Sequence, residues 1–165
     1  MPEATLKDLG PCQITFDSVD LGKTMGGVTF RDSVVEVKVL EDQAGSTPVD
    51  TILTGRTIEV EVPMSRSTLA QLAKVIPGAS NGGSYVLVKN QAGIARAANA
   101  ALLVLQPLVD GVASGDALTI FLASPSTDIE LTFDNENQRV YKVKFIAYPD
   151  ADNSNRLYQI GGTPS

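Results

Sequence analysis

The sequence holds no histidine and a single cysteine, Cys12. Histidine is the side chain whose ordinary pKa lies closest to neutrality and a frequent zinc ligand. Its absence excludes Ser-His-Asp catalysis and any histidine-bearing zinc centre. One thiol cannot build a cysteine-only zinc or iron–sulfur site within the chain, nor an intrachain disulfide. Paired Asp and Glu carboxylates remain as a route to acid–base chemistry, glycoside cleavage above all. Here the acids fall mostly on outward strand positions, where a charge is ordinarily just solvated. No catalytic, metal-binding or cofactor-binding residue is assigned, and the sequence reads as that of a non-enzyme.

Three local patterns approach known chemistry and fall short of it. Gly22-Lys23-Thr24 matches the end of a phosphate-cradling loop, but Asp17 stands where the leading glycine is required. The alternative is a hairpin turn with an exposed lysine. Asp150, Asp152 and Ser154 follow the spacing of the first calcium-loop ligands. However, Asn155 replaces the glycine of the sharp bend, and Gly161 sits where the bidentate glutamate belongs. A solvated turn fits better. Cys12 alternates with Ile14 and Phe16, which makes it a small core residue rather than a reactive thiol.

The bulk properties agree with a structural role. At 165 residues, with 43% hydrophobic and 19% charged side chains, the chain suits one domain over residues 1–165 with a buried core. Its net charge is −6, so specific binding to a phosphate backbone is disfavoured, although repulsion serves where DNA must pass without sticking. Tryptophan is absent and Tyr85, Tyr141, Tyr148 and Tyr158 are scattered, which speaks against a sugar- or base-stacking groove. Met1-Pro2-Glu3-Ala4 does not resemble a signal peptide. The longest apolar run, Ala100–Leu105, is far below the roughly 18 residues of a membrane span. The expectation is a protein made in the cytosol with no membrane span.

Alternation of period two dominates the chain. Cys12, Ile14 and Phe16 share one face; so do Val35, Val37 and Val39, opposed by Glu36 and Lys38. In 56–62 the split sets Ile58, Val60 and Val62 inside and Thr57, Glu59 and Glu61 outside. Leu118, Ile120 and Leu122 alternate in the same way, as do Ile129, Leu131 and Phe133, and then Tyr141, Val143 and Phe145. One segment has helical spacing instead: Leu69, Leu72, Ala73 and Ile76, with Thr68/Gln71 or Ser67 as the cap and Pro77-Gly78 as the stop. The pattern predicts a mainly β fold, an antiparallel β-sandwich or barrel with one short flanking α-helix at about 67–76. Segment 95–109 reads as a strand ended by Pro107, 41–51 as a long loop, and 150–165 as a polar tail, extended and partly flexible.

Three segments in order resemble a known family. They are GPCQITFDSVDLGKT (Gly10–Thr24), then GGVTF (Gly26–Phe30) leading to an acidic strand, then DQAGSTPVDTILTGR (Asp42–Arg56) with the helix LAQLAKVIPG (Leu69–Gly78). Together they resemble the first half of bacteriophage major tail tube proteins, a family related to type VI secretion and contractile-bacteriocin tube proteins. The resemblance implies a virion subunit, assembled in the host cytoplasm, that forms hexameric rings stacked around a channel for DNA. It implies a sheath or terminator, a baseplate and a tape-measure protein as neighbours. It also implies that the loop carrying Gln43, Gly45, Ser46, Thr47, Pro48, Val49 and Asp50 bridges subunits. Glu36, Glu59 and Glu61 are then candidates for the acidic lumen or the outer wall of the tube. The competing readings are another virion part (a tail terminator or head-decoration protein) and a carbohydrate-binding adhesive β-sandwich.

Overall fold

Between Phe16 and Val19 the chain reverses in two residues, Asp17 and Ser18, whose φ angles are 49° and 64°. Two consecutive left-handed residues make the turn whose twist matches that of paired strands, and Asp is among the side chains that tolerate it. The first hairpin is therefore local in origin: β1 (Cys12–Phe16) and β2 (Val19–Asp20). The computed structural model describes residues 12–109, 112–113, 117–126, 128–130, 135–136 and 140–162. After β2 come β3 (Lys23–Thr24), β4 (Thr29–Val39), β5 (Asp50–Arg66) and α1 (Leu69–Val75). Then follow β6 (Ala79–Asn81), β7 (Val86–Val88), β8 (Ala101–Val109), β9 (Val112–Ala113), β10 (Leu118–Pro125), β11 (Tyr141–Ala147) and β12 (Tyr158–Ile160).

The fold is mainly β with a single α-helix among the described residues. One antiparallel sheet runs in the order β2-β1-β8-β10-β11-β5-β3, with β12 joined to β10, β4 to β5 and β9 to β8. β6 and β7 make a separate hairpin. The large sheet is rolled. Phe16 on β1 and Phe145 on β11 lie three strand positions apart, about 14 Å in a flat sheet, yet their ring centroids are 5.0 Å apart. Rolling folds the sheet's inner face onto itself, so Ile14, Ile58, Val60, Val62, Leu103 and Val143 join the two rings in one buried cluster. The predicted inward faces of β1, β11 and the body of β5 are all found there.

Several expectations are corrected. In β10, alternation gives way to burial on both faces, because Thr119, Phe121 and Ser124 are covered as well as Ile120 and Ala123; Leu122 is only partly buried. β8 begins only at Ala101, after a 3-10 turn at Arg96–Asn99, and continues through Pro107 to Val109. Pairing with β10 has already ended at Leu105, so the proline interrupts nothing on that side. Ile129 and Glu130 are irregular, and Ile129 is exposed; Leu131 and Phe133 lie outside the described residues. Gly22-Lys23-Thr24 is no turn: Lys23 and Thr24 pair with β5, and no helix follows to receive a phosphate.

The helix is shorter than expected and turned differently. Thr68 forms the full capping box with Gln71, accepting from its backbone N–H at 3.3 Å and donating its own N–H to Oε1 at 2.8 Å. Val75 is its buried residue, whereas Leu69 is exposed and Leu72, Ala73 and Ile76 are half-buried. Gln71 also donates to the carbonyl of Asp20, fixing the helix to the first hairpin. The C-terminal segment does not trail away. β12 pairs with β10, and the Asp150 turn is closed by hydrogen bonds from Asn153 and Arg156, which hold the Asp150 carboxyl below its ordinary pKa. That carboxylate is thus committed within its own turn. Residues 163–165 lie outside the described residues.

The rolled core predicts a large contrast between two apolar substitutions. Phe145→Ala is expected to cost about 3–5 kcal/mol, read as a lowered urea midpoint of the dispersed chain. Val37→Ala, on an exposed stretch of β4, is expected to change it by no more than about 0.5 kcal/mol.

Candidate assembly surface

β5 is far longer than any partner that covers it on the β11 side. Its pairing with β11 runs from Met64 to Glu59 and stops. From Ile58 back to Asp50, β4 is its only partner among the described strands, in a register that continues to Val39↔Asp50. β4 in turn pairs only with β5 among the described strands. Beyond Asp32↔Ile58, then, the hairpin leaves the body as a ribbon two strands wide. From Val34 to Val39 it extends roughly 20 Å, at about 3.3 Å per residue. Such a ribbon is marginal in water, since each strand shows an open edge and no second layer covers its side chains.

A β-bulge interrupts the ladder near the base of the arm. Val35 faces Gly55 and Glu36 faces Leu53, leaving Thr54 unpaired in the ladder, where its hydroxyl donates to the Val35 carbonyl at 3.0 Å. The alternation assigned one face to Val35, Val37 and Val39, and that grouping holds. That face is open: Val35 is 55% exposed, Val37 54%, and Ile52, paired with Val37, 54%. The alternation named the face without saying what covers it, and among the described residues no second sheet lies over the arm. Val34 and Leu53 are exposed on the opposite face. Contiguous exposed aliphatic side chains of this kind make the arm a candidate interaction surface.

The tip lies between the strands. A 3-10 turn at Asp42–Ala44 precedes Gly45, whose φ of 63° closes it. Gln43, Gly45, Ser46, Thr47, Pro48 and Val49 all belong to this tip, as the loop reading held, but Asp50 and Thr51 are the first residues of β5. Leu40 and Val49 are exposed beside Glu41 and Asp42.

The three singled-out acids lie outside the core but do not form one set. Glu59 and Glu61 share the outer face of the body with Arg31, Lys142 and Lys144, and Lys144 pairs with Glu59 at 2.9 Å. This face is mixed in charge. Glu36 belongs to the arm and points with Lys38 and Leu53 to the opposite side.

The arm is fixed at its base by a contact with no signal in local spacing. Asp32 Oδ2 accepts from Arg56 at 2.8 Å and from the Tyr158 hydroxyl at 2.9 Å. Phe30 meets the Tyr158 ring edge-on at 5.1 Å. Phe30 and Asp32 face the interior with their partners Val60 and Ile58, so Tyr158 of β12 joins them across the roll. The residues are 126 positions apart, which is why no motif revealed them.

Among the described residues no group of three or more metal-binding side chains is clustered, and no helix is long and apolar enough to cross a membrane. Cys12 is half-buried, and burial pushes its thiol up to about 11, away from nucleophilic use. Comparison with known proteins gives no family-model match and no match among curated proteins.

The Asp32 carboxylate raises the Tyr158 pKa through the hydrogen bond, with burial adding to it. A raised folded-state pKa means that the contact contributes fully below the unfolded tyrosine value of about 10 and is lost as pH rises through the folded one. Tyr158→Phe is expected to cost about 1 kcal/mol at neutral pH. The gap to wild type should close above about pH 10, as read from urea midpoints across a pH series.

Proposed function

We propose that this chain is the tube subunit of a bacteriophage tail, a structural protein whose copies form hexameric rings stacked around a channel for DNA. One observation carries the reading: a ribbon arm with an exposed aliphatic face and, among the described strands, two open edges. A neighbouring copy that covers Val35, Val37 and Ile52 removes apolar area from water, and one that lies along β4 completes its open edge. Repetition of the same contact by every copy yields a closed ring or a continuing tube.

The ordered resemblance of Gly10–Gly78 to tail tube proteins supplies the particular assembly. In that setting the virion tail is the location. Its neighbours are a sheath or terminator, a baseplate and a tape-measure protein. DNA passes through without tight binding, in keeping with the net charge of −6. Glu59 and Glu61 contribute less repulsion than their number suggests, since Lys142, Lys144 and Arg31 share their face.

Purified protein is expected to form tubes with an axial ring repeat and a central hole in negative-stain micrographs. Deleting Gly45–Val49 should leave the far-ultraviolet circular dichroism of a β protein and remove the tubes. Tubes of normal length from the deletion variant, or a wild-type chain that stays monomeric at high concentration, would overturn the reading.

A further inference from the structure

Between the end of α1, β7 and the end of β10 lies a cleft of about 760 Å³. Its wall is built where α1 stops. Ile76 ends the helix, and Gly78, at φ 78°, turns the chain back so closely that a Cβ there would sit 2.7 Å from the Lys89 carbonyl. The Lys89 N–H donates to the Gly78 carbonyl at 3.1 Å, pinning this wall to the strand end at β7. Phe16, Ile76, Val88 and Ile94 give the cleft an apolar lining. Its charged lining residues are Lys74, Lys89 and Arg96, with no carboxylate among them. Lys74 is paired with Asp17 at 2.6 Å; Lys89 has no ion pair among the described residues, and Arg96 donates to the neutral Pro125 carbonyl.

The arm tip has the complementary chemistry. Leu40 and Val49 are exposed apolar side chains; Glu41 and Asp42 are its charges, and positions 40–50 contain no cation. The chain cannot satisfy its own cleft. The tip leads into Asp50, whereas Pro125 in the cleft is in register with Phe145 and, through it, with Val60, ten residues farther along β5, roughly 33 Å at about 3.3 Å per residue.

We propose that the tip, residues 40–49, seats in the α1–β7 cleft of a second copy of this chain, apolar pair inward and Glu41 and Asp42 against Lys89 and Arg96. The proposal rests on the assembly reading above and names the surface that receives the arm. Because donor and acceptor are different patches, the contact is heterologous and propagates, as rings and tubes require.

The test uses full-length chains with Cys12→Ala to remove the native thiol. Copies carrying Ser46→Cys are mixed with copies carrying Asn90→Cys under assembly conditions and oxidised. A disulfide-linked dimer in the mixture, and in neither variant alone, is expected. In parallel, Lys89→Glu should raise the concentration needed for assembly about tenfold or more, since like charges oppose across the contact. Adding Asp42→Lys to the same chain should recover most of the loss. If tubes form but the mixed cysteines do not link and the double reversal is no better than the single one, the cleft is not the receptor and only this inference falls. If removing the tip leaves tubes intact, the assembly reading itself falls.

Discussion

A ribbon of two strands cannot hold itself in water by its own hydrogen bonds and side chains, and this protein extends one from its core. Among the described residues, the distal halves of β4 and β5 pair with each other alone, and their aliphatic side chains meet no second layer. Burial of one fully exposed Val or Ile side chain is worth about 1.5–3 kcal/mol, so leaving several uncovered forgoes a stabilisation comparable to that of a small domain. The rest of the molecule can be understood as the means of presenting this ribbon in a fixed direction.

β5 is the spine of that arrangement. In its C-terminal half, inward residues Ile58, Val60, Val62 and Met64 are buried, and β11 flanks them. At its midpoint the Asp32–Arg56–Tyr158 contact ties β4 and β5 to β12, which pairs with β10. The bulge at Thr54 comes immediately after this tether. Bulges bend a strand and increase its local twist, so the arm's course is set where the body's support ends. Asp32 Oδ1 is buried without a hydrogen-bond partner among the described residues, a cost that the tether carries.

Periodicity made much of this legible. Ile58, Val60 and Val62 were readable as a buried face because both the alternation and the core are local to the strand. The Thr68/Gln71 cap was readable because capping depends on spacing alone. Val35, Val37 and Val39 show the limit: alternation states which side chains share a face, and whether that face meets its own chain or another is fixed by distant strands. β10 lost its alternation for the same reason, since a central strand covered on both sides has no polar face to reveal it. Tyr158, Asp32 and the cleft draw on segments far apart in sequence, where no spacing rule reaches.

The placement of charge bears on how copies can meet. Acids on the body's outer face are interleaved with bases, while the tip carries Glu41 and Asp42 without a cation and the cleft carries cations without an acid. Tip against tip brings like charges together, and so does cleft against cleft. Each such juxtaposition raises the free energy of a symmetric dimer, in which both patches would also remain unfilled. Tip against cleft alone pairs opposite charges and covers apolar surface on both sides. A symmetric dimer consumes its surfaces and stops; a row of tip-to-cleft contacts keeps one free tip at one end and one free cleft at the other. In the proposed assembly, the separation that keeps the chain from filling its own cleft would therefore give growth a direction.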